Sequence, residues 1–129
     1  VRRYWGAMLD RGATTFWESF DPDEDPATAL DMYGRRFATS LCHAWSGAIA
    51  GTLATHLLGV TPLAPGATRV AVAPSLGNVD WVEGTAATAH GDVVVRWTAS
   101  AGRVEVPTGM VARITGESQD RGSGLHDVP

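Results

Sequence analysis

Three kinds of residue in the first third of the chain could do chemistry: a carboxylate at Glu18, an imidazole at His43, and the indoles of Trp5, Trp17 and Trp45. Glu18 closes the run Thr15-Phe16-Trp17-Glu18. Its spacing is first that of a capping box, with the threonine hydroxyl bonding the backbone N–H of residue 18 and the glutamate reaching back to residue 15. The other reading is a catalytic carboxylate, which partial desolvation between Phe16 and Trp17 would ready for proton transfer. His43 falls at the third position of a helix if Ser40 is its N-cap. The positive end of the helix dipole disfavours an imidazolium there, so a neutral, hydrogen-bonding ring is expected. A purely structural histidine is the plainer alternative. The same dipole would favour a Cys42 thiolate, but the residue reads as an inert buried thiol. A pairing of Cys42 with His43 is not expected, because adjacent helical residues point about 100° apart.

Tryptophan usually packs in a core. Its functional alternative here is a platform for the apolar face of a pyranose ring. His56, His90 and His126 lack ligand-like spacing with Asp, Glu or Cys, so no metal site is expected. There is no Gly-rich phosphate loop, no GxSxG elbow and no basic stripe, and no cofactor is implied.

The elements that must position these residues change character near Pro62, with helical spacing before it and alternation after it. Tyr4, Trp5, Met8 and Leu9 form one helical stripe, with Gly12 placed to end it in the left-handed conformation. Thr14 or Thr15 would cap a short turn through Glu18, and Asp21-Pro22 would stop it. Six carboxylates and no base lie between Glu18 and Asp31, so Asp21–Pro26 reads as an exposed loop. Leu41, Trp45, Ile49, Leu53 and Leu57 predict an apolar ridge on a helix from Ser40 to Gly59. Gly47, Ala50, Gly51 and Ala54 give it a second, small-residue face. Beyond a linker at Leu63–Thr68, strands are expected at 69–73, 79–83, 93–97, 103–106 and 110–115, in an antiparallel sandwich. Residues 116–129 read as a flexible tail.

Composition bounds the function. At 129 residues, 44% hydrophobic and 19% charged, the chain can bury a core and is not wholly disordered. A net charge of −4 argues against nucleic acid as a partner. No stretch of 18 apolar residues spans a membrane. All ten basic residues are arginine, for which we have no physical account. One cysteine excludes an internal disulfide framework and leans toward a cytoplasmic location. The chain starts at Val1 inside a helix-like segment, so it is expected to be internal to a longer protein.

Four stretches carry a resemblance. They are Tyr4-Trp5-Gly6-Ala7-Met8-Leu9-Asp10-Arg11-Gly12-Ala13-Thr14-Thr15-Phe16-Trp17-Glu18, Ser40-Leu41-Cys42-His43-Ala44-Trp45-Ser46, Leu58-Gly59-Val60-Thr61-Pro62-Leu63, and Trp81-Val82-Glu83-Gly84-Thr85 with His90-Gly91-Asp92-Val93 after it. In that order they resemble the C-terminal end of bacterial α-L-rhamnosidases of glycoside hydrolase family 78. The resemblance implies an α+β chain: the last helices of an (α/α)6 toroid over residues 1–62, then an antiparallel β-sandwich domain over 63–115. It implies an inverting hydrolase of L-rhamnose-containing glycosides. Glu18 would be the general base, and His43, Trp17 and Trp45 would contact the sugar. Inversion needs a second carboxylic acid roughly 6.5–9.5 Å from the base. In the family that acid lies in an upstream motif absent here, so the upstream part of the parent domain is the expected partner and the chain alone is expected to be inactive. The rival readings are a non-catalytic carbohydrate-binding module built on Trp81 and Trp97, or a remnant without function of its own.

Overall fold

The first helical stretch is short because its own sequence stops it. In the computed structural model, which describes residues 1–129, one π-helical turn at Arg2–Gly6 leads into α1, Ala7–Asp10. Gly12 takes φ +84°, as its placement predicts, and the chain ends the helix in a Schellman arrangement. Gly12 N–H bonds the Leu9 carbonyl at 2.8 Å and Ala13 N–H bonds the Met8 carbonyl at 3.0 Å. The turn seats Ala13 on Met8, and Trp17 completes a small buried cluster rimmed by Trp5, Phe20 and Leu30. Tyr4 and Leu9 are exposed, so the stripe is narrower than the sequence suggests. A π turn carries more residues than an α turn, and positions four apart no longer stack.

The expected helix from Ser40 begins later. A 3₁₀ turn at Ala44–Gly47, α2 at Ala48–Thr52 and a π turn at Leu53–Leu57 follow one another. Three pitches in sequence break the ridge: Ile49 is buried, whereas Leu41, Trp45 and Leu53 are exposed. The small-residue face does not receive a helix at Gly47; the Phe16 ring lies over it, 3.6 Å from where a Cβ would sit. Residues 14–18 form no helical turn, so the capping box does not exist. The acidic stretch is an exposed loop, in which Asp21 and Asp25 carboxylates accept from the N–H groups of Asp23 and Ala27. No helix is long and apolar enough to cross a membrane.

The chain forms two compact units, Val1–Ala50 and Gly51–Pro129. The second is a sandwich of seven strands: β1 Val60–Pro62, β2 Arg69–Val72, β3 Trp81–Thr88, β4 Gly91–Thr98, β5 Gly102–Val106, β6 Val111–Ile114 and β7 Gly124–Val128. One sheet has the order β1-β2-β6 and the other β3-β4-β5-β7. All pairs are antiparallel except β2 with β6. Alternation places Val70 and Val72, Val93 and Val95, Val104 and Val106, and Ala112 and Ile114 in one core shared by both sheets. On the outer face of the larger sheet, register lines up Glu83, Arg96, Arg103 and Asp127. Each arginine binds the acid beside it, Arg96 to Glu83 at 2.9 Å and Arg103 to Asp127 at 2.6 Å, which relieves the repulsion of adjacent guanidiniums.

Two strands escaped the sequence reading. The sequence offers no strand signal between Gly59 and Pro62, where it stops a helix, and reads 116–129 as a tail. The tail is instead ordered by backbone bonds and ion pairs. Arg121 and Ala112 exchange N–H···O bonds at 2.8 Å, covering the free edge of β6, and β7 pairs with β5. Asp120 accepts from Arg69 at 2.7 Å and also from Arg113. Only Val128 of β7 is buried, so apolar patterning could not announce the strand. Trp97 packs against the core, leaving Trp81, paired with Thr98, as the exposed indole of its sheet. A binding face made of a row of aromatics is therefore not present on it.

Two outcomes follow from this packing. A Cβ on Gly102 would sit 2.1 Å from the Trp97 ring, so Gly102→Ala should lower stability by about 1–3 kcal/mol in urea denaturation. Hydrogen bonds from arginines hold the Asp120 and Glu117 carboxyls below their ordinary values. A lowered folded-state value stabilises above the usual carboxylate range and is lost as pH falls through and below it. The melting temperature should therefore drop between roughly pH 5 and pH 3, and by less in Asp120→Asn.

Candidate active site

Glu18 and His43 meet because two non-helical segments are stitched along their backbones. Glu18 N–H donates to the Ser40 carbonyl at 2.8 Å, and His43 N–H donates to the Phe16 carbonyl at 2.7 Å. The Thr15 hydroxyl donates to the Leu41 carbonyl and the Ser46 hydroxyl to the Trp17 carbonyl. The two backbone bonds pair the segments in opposite senses, and the seam spends the Thr15 hydroxyl and Glu18 N–H that a capping box at 15–18 would have used. Trp5 Nε1 adds a bond to the Ser46 carbonyl at 3.1 Å, tying the first helix to the same seam.

The Glu18 carboxylate is largely enclosed, with 16% of its side chain accessible. Its Oε2 accepts from the Ser40 N–H at 3.2 Å. Its Oε1 lies 3.4 Å from the Tyr33 hydroxyl and 3.7 Å from His43 Nε2. Ser40 and Glu18 therefore close a ring of two bonds, one through each residue's N–H.

His43, not Ser40, is the helix N-cap. Its backbone is extended and its Nδ1 accepts from the Trp45 N–H at 3.4 Å. Ser40 instead closes a local turn, its hydroxyl donating to the Cys42 carbonyl at 3.2 Å and accepting from the Cys42 N–H at 3.4 Å. The expectation of His43 at the third helical position is thus corrected by three residues. The tautomer follows from the cap. A ring nitrogen that accepts carries no proton, so the ring proton then resides on Nε2, which faces Glu18. At 3.7 Å this is a polar contact, wider than a hydrogen bond.

Trp45 meets the His43 ring edge-to-face, centroids 4.9 Å apart, and is 79% exposed. Trp17 is different. It is 8% exposed and packs edge-on to Phe20 at 5.7 Å. It belongs to the buried cluster with Met8 and Ala13, the usual packing role of an indole. The sugar-platform reading of Trp17 is corrected accordingly. Cys42 forms no disulfide and is exposed, so the expectation of a buried thiol is corrected. Sequence reasoning missed Tyr33 altogether. Its one signal was the Tyr33-Gly34 dipeptide, a turn mark that says nothing of where the ring points.

A fixed carboxylate, a neutral imidazole donor and an exposed indole can take a proton from water, bind a hydroxyl and cover an apolar ring face, which are the demands of carbohydrate chemistry. Helical pieces followed by a β-sandwich are the order of the end of a helical toroid and the β domain after it. Residues 1–57 match the family model of the bacterial alpha-L-rhamnosidase 6 hairpin glycosidase domain, and residues 59–124 that of the bacterial alpha-L-rhamnosidase C-terminal domain. The chain belongs to the bacterial alpha-L-rhamnosidase family. It is similar to an alpha-L-rhamnosidase of Alteromonas sp. (strain LOR), 27% identical over 88% of this chain and 12% of that protein. Its fold is similar to part of the native alfa-L-rhamnosidase of Aspergillus terreus, with a TM-score of 0.76, 24% identity, and coverage of 96% of this chain and 15% of the other. The Streptomyces avermitilis alpha-L-rhamnosidase complexed with L-rhamnose gives a TM-score of 0.65 at 21% identity, over 98% of this chain and 14% of the other. The chain thus spans about an eighth of the length of the curated relative.

The cap and the Nε2 donor of His43 are separable. His43→Ala should cost up to about 1 kcal/mol of stability in urea denaturation, and His43→Asn should recover most of it, since Asn also caps. Equal losses in the two variants would show that the cap bond contributes little.

Proposed function

We propose that this chain supplies the general base and part of the sugar site for inverting hydrolysis of terminal α-L-rhamnosides. The observation that carries the reading is the Glu18 carboxylate, anchored through Oε2 to the Ser40 N–H at 3.2 Å with His43 Nε2 3.7 Å from Oε1. A carboxylate has about four acceptor directions, so one bond at each oxygen still leaves room for a water. Glu18 takes a proton from that water as its oxygen attacks the anomeric carbon. The bond to the aglycone oxygen breaks at the same time, and a carboxylic acid across the sugar protonates the departing oxygen. The family's acid motif has no counterpart among these 129 residues, and the acid is assigned to the upstream part of the catalytic domain. His43 donates from Nε2 to a rhamnose hydroxyl, and the exposed Trp45 face covers apolar sugar carbons.

The 129-residue chain alone should release no measurable L-rhamnose from an aryl α-L-rhamnoside. In the complete catalytic domain that carries these residues, Glu18→Gln should lower kcat by roughly 10²–10⁴-fold, the usual range for loss of a general base. The first anomer formed, followed by proton NMR, should be β-L-rhamnose. A Glu18→Gln enzyme that keeps a tenth or more of the rate would sink the reading.

A further inference from the structure

Tyr33 is held in a conformation that its own side chain opposes. Met32 and Arg35 exchange backbone bonds, Met32 N–H to the Arg35 carbonyl at 3.0 Å and Arg35 N–H to the Met32 carbonyl at 2.9 Å. Between them Tyr33 and Gly34 take φ +54° and +71°, the two left-handed residues of a type I′ turn. Glycine suits its place. The first place normally takes Asn, Asp or Gly, because a bulkier side chain crowds its own carbonyl. Burial does not compensate the strain, since Tyr33 is 83% exposed. What the tyrosine gains is the contact of its hydroxyl with Glu18 Oε1 at 3.4 Å.

The turn is fixed on both flanks. Phe37 N–H binds the Asp31 carboxylate at 3.1 Å, and Thr39 N–H binds the Leu30 carbonyl at 3.1 Å. Thr39 is buried and adjoins Ser40, whose N–H holds Oε2. One loop therefore grips both oxygens of Glu18, with Tyr33 on Oε1 and Ser40 on Oε2. Phe37 of the same loop is also left-handed and exposed. What sets Tyr33 apart is that its hydroxyl meets the Glu18 carboxylate, and it is that contact which motivates a functional reading of the strained turn.

We infer that Tyr33 is a positioning residue for Glu18: its phenol donates to Oε1 and fixes the plane of the carboxylate while the second lone pair of that oxygen receives the proton of water. The inference rests on the reading of Glu18 as the base. Tyr33 acts only through Glu18, so its loss should slow turnover without weakening substrate binding.

Two variants separate contact from structure. Tyr33→Phe removes the hydroxyl and keeps the ring. Tyr33→Gly removes both but relieves the left-handed strain, so it should unfold no earlier than the parent chain. With 13C-labelled glutamate in the 129-residue chain, the Glu18 carboxyl carbon should move in both variants at neutral pH while the other glutamate signals stay in place. In the complete catalytic domain acting on an aryl α-L-rhamnoside, both should lower kcat about three- to tenfold with KM within twofold, the loss of one modest hydrogen bond. An unmoved Glu18 carbon, or full activity in Tyr33→Phe with loss only in Tyr33→Gly, overturns the inference. Failure of the base assignment is read separately: Glu18→Gln would then stay active while the Tyr33-dependent carbon shift persists.

Discussion

Everything at the candidate site depends on one seam, the backbone pairing of residues 15–18 with residues 40–46. Glu18 and Ser40 lie 22 residues apart, yet each donates its N–H to an oxygen of the other. A carboxylate held this way loses little further freedom when it acts, because its orientation is set during folding. The seam also decides what is not formed. It claims the Thr15 hydroxyl and the Glu18 N–H, two of the groups that a capping box needs, and so keeps residues 15–18 out of a helical turn. Within the seam Trp17 is buried in the core of its unit and Glu18 is left partly accessible beside Ser40, His43 and Tyr33.

The loop between the two halves of the seam is part of the same device. Its acidic residues cannot repel one another into a helix, so the loop is built from aspartate-closed turns that leave the charges in water. Leu30 and Thr39 close its base, and the left-handed Tyr33 marks its tip. His43 has two tasks that agree: by capping the following 3₁₀ turn through Nδ1, it directs its Nε2 proton toward Glu18. A histidine one turn into the helix could not have done both, since its Nδ1 would have no free backbone N–H to accept from.

The second unit is stabilised on different terms. Its core is a valine-rich sandwich closed by Leu58, Met110, Ala112 and Ile114, and its outer face is a lattice of arginines matched to acids by register. The last fourteen residues contribute little apolar area, yet they close the edge of one sheet and extend the other. Surface ion pairs of this kind add little singly. Asp120, shared by two arginines, is effective because it also anchors the loop that carries Arg121 to the edge of β6.

The sequence was legible wherever one residue or one strand sufficed. Gly12 announced its left-handed turn, Val93 and Val95 their buried face, and the order of helices before strands the class of fold. Its motifs also named Glu18 and His43 as the residues to watch. The mixed pitch of the helical pieces, β7 with its single buried valine, and Tyr33 were not legible in it. Each of these depends on bonds between backbone groups distant in the chain, which carry no side-chain signature. The sequence thus determined which groups were available for chemistry. Tertiary structure alone decided which of them meet, because hydrogen bonds between remote segments set the direction in which each side chain leaves the backbone.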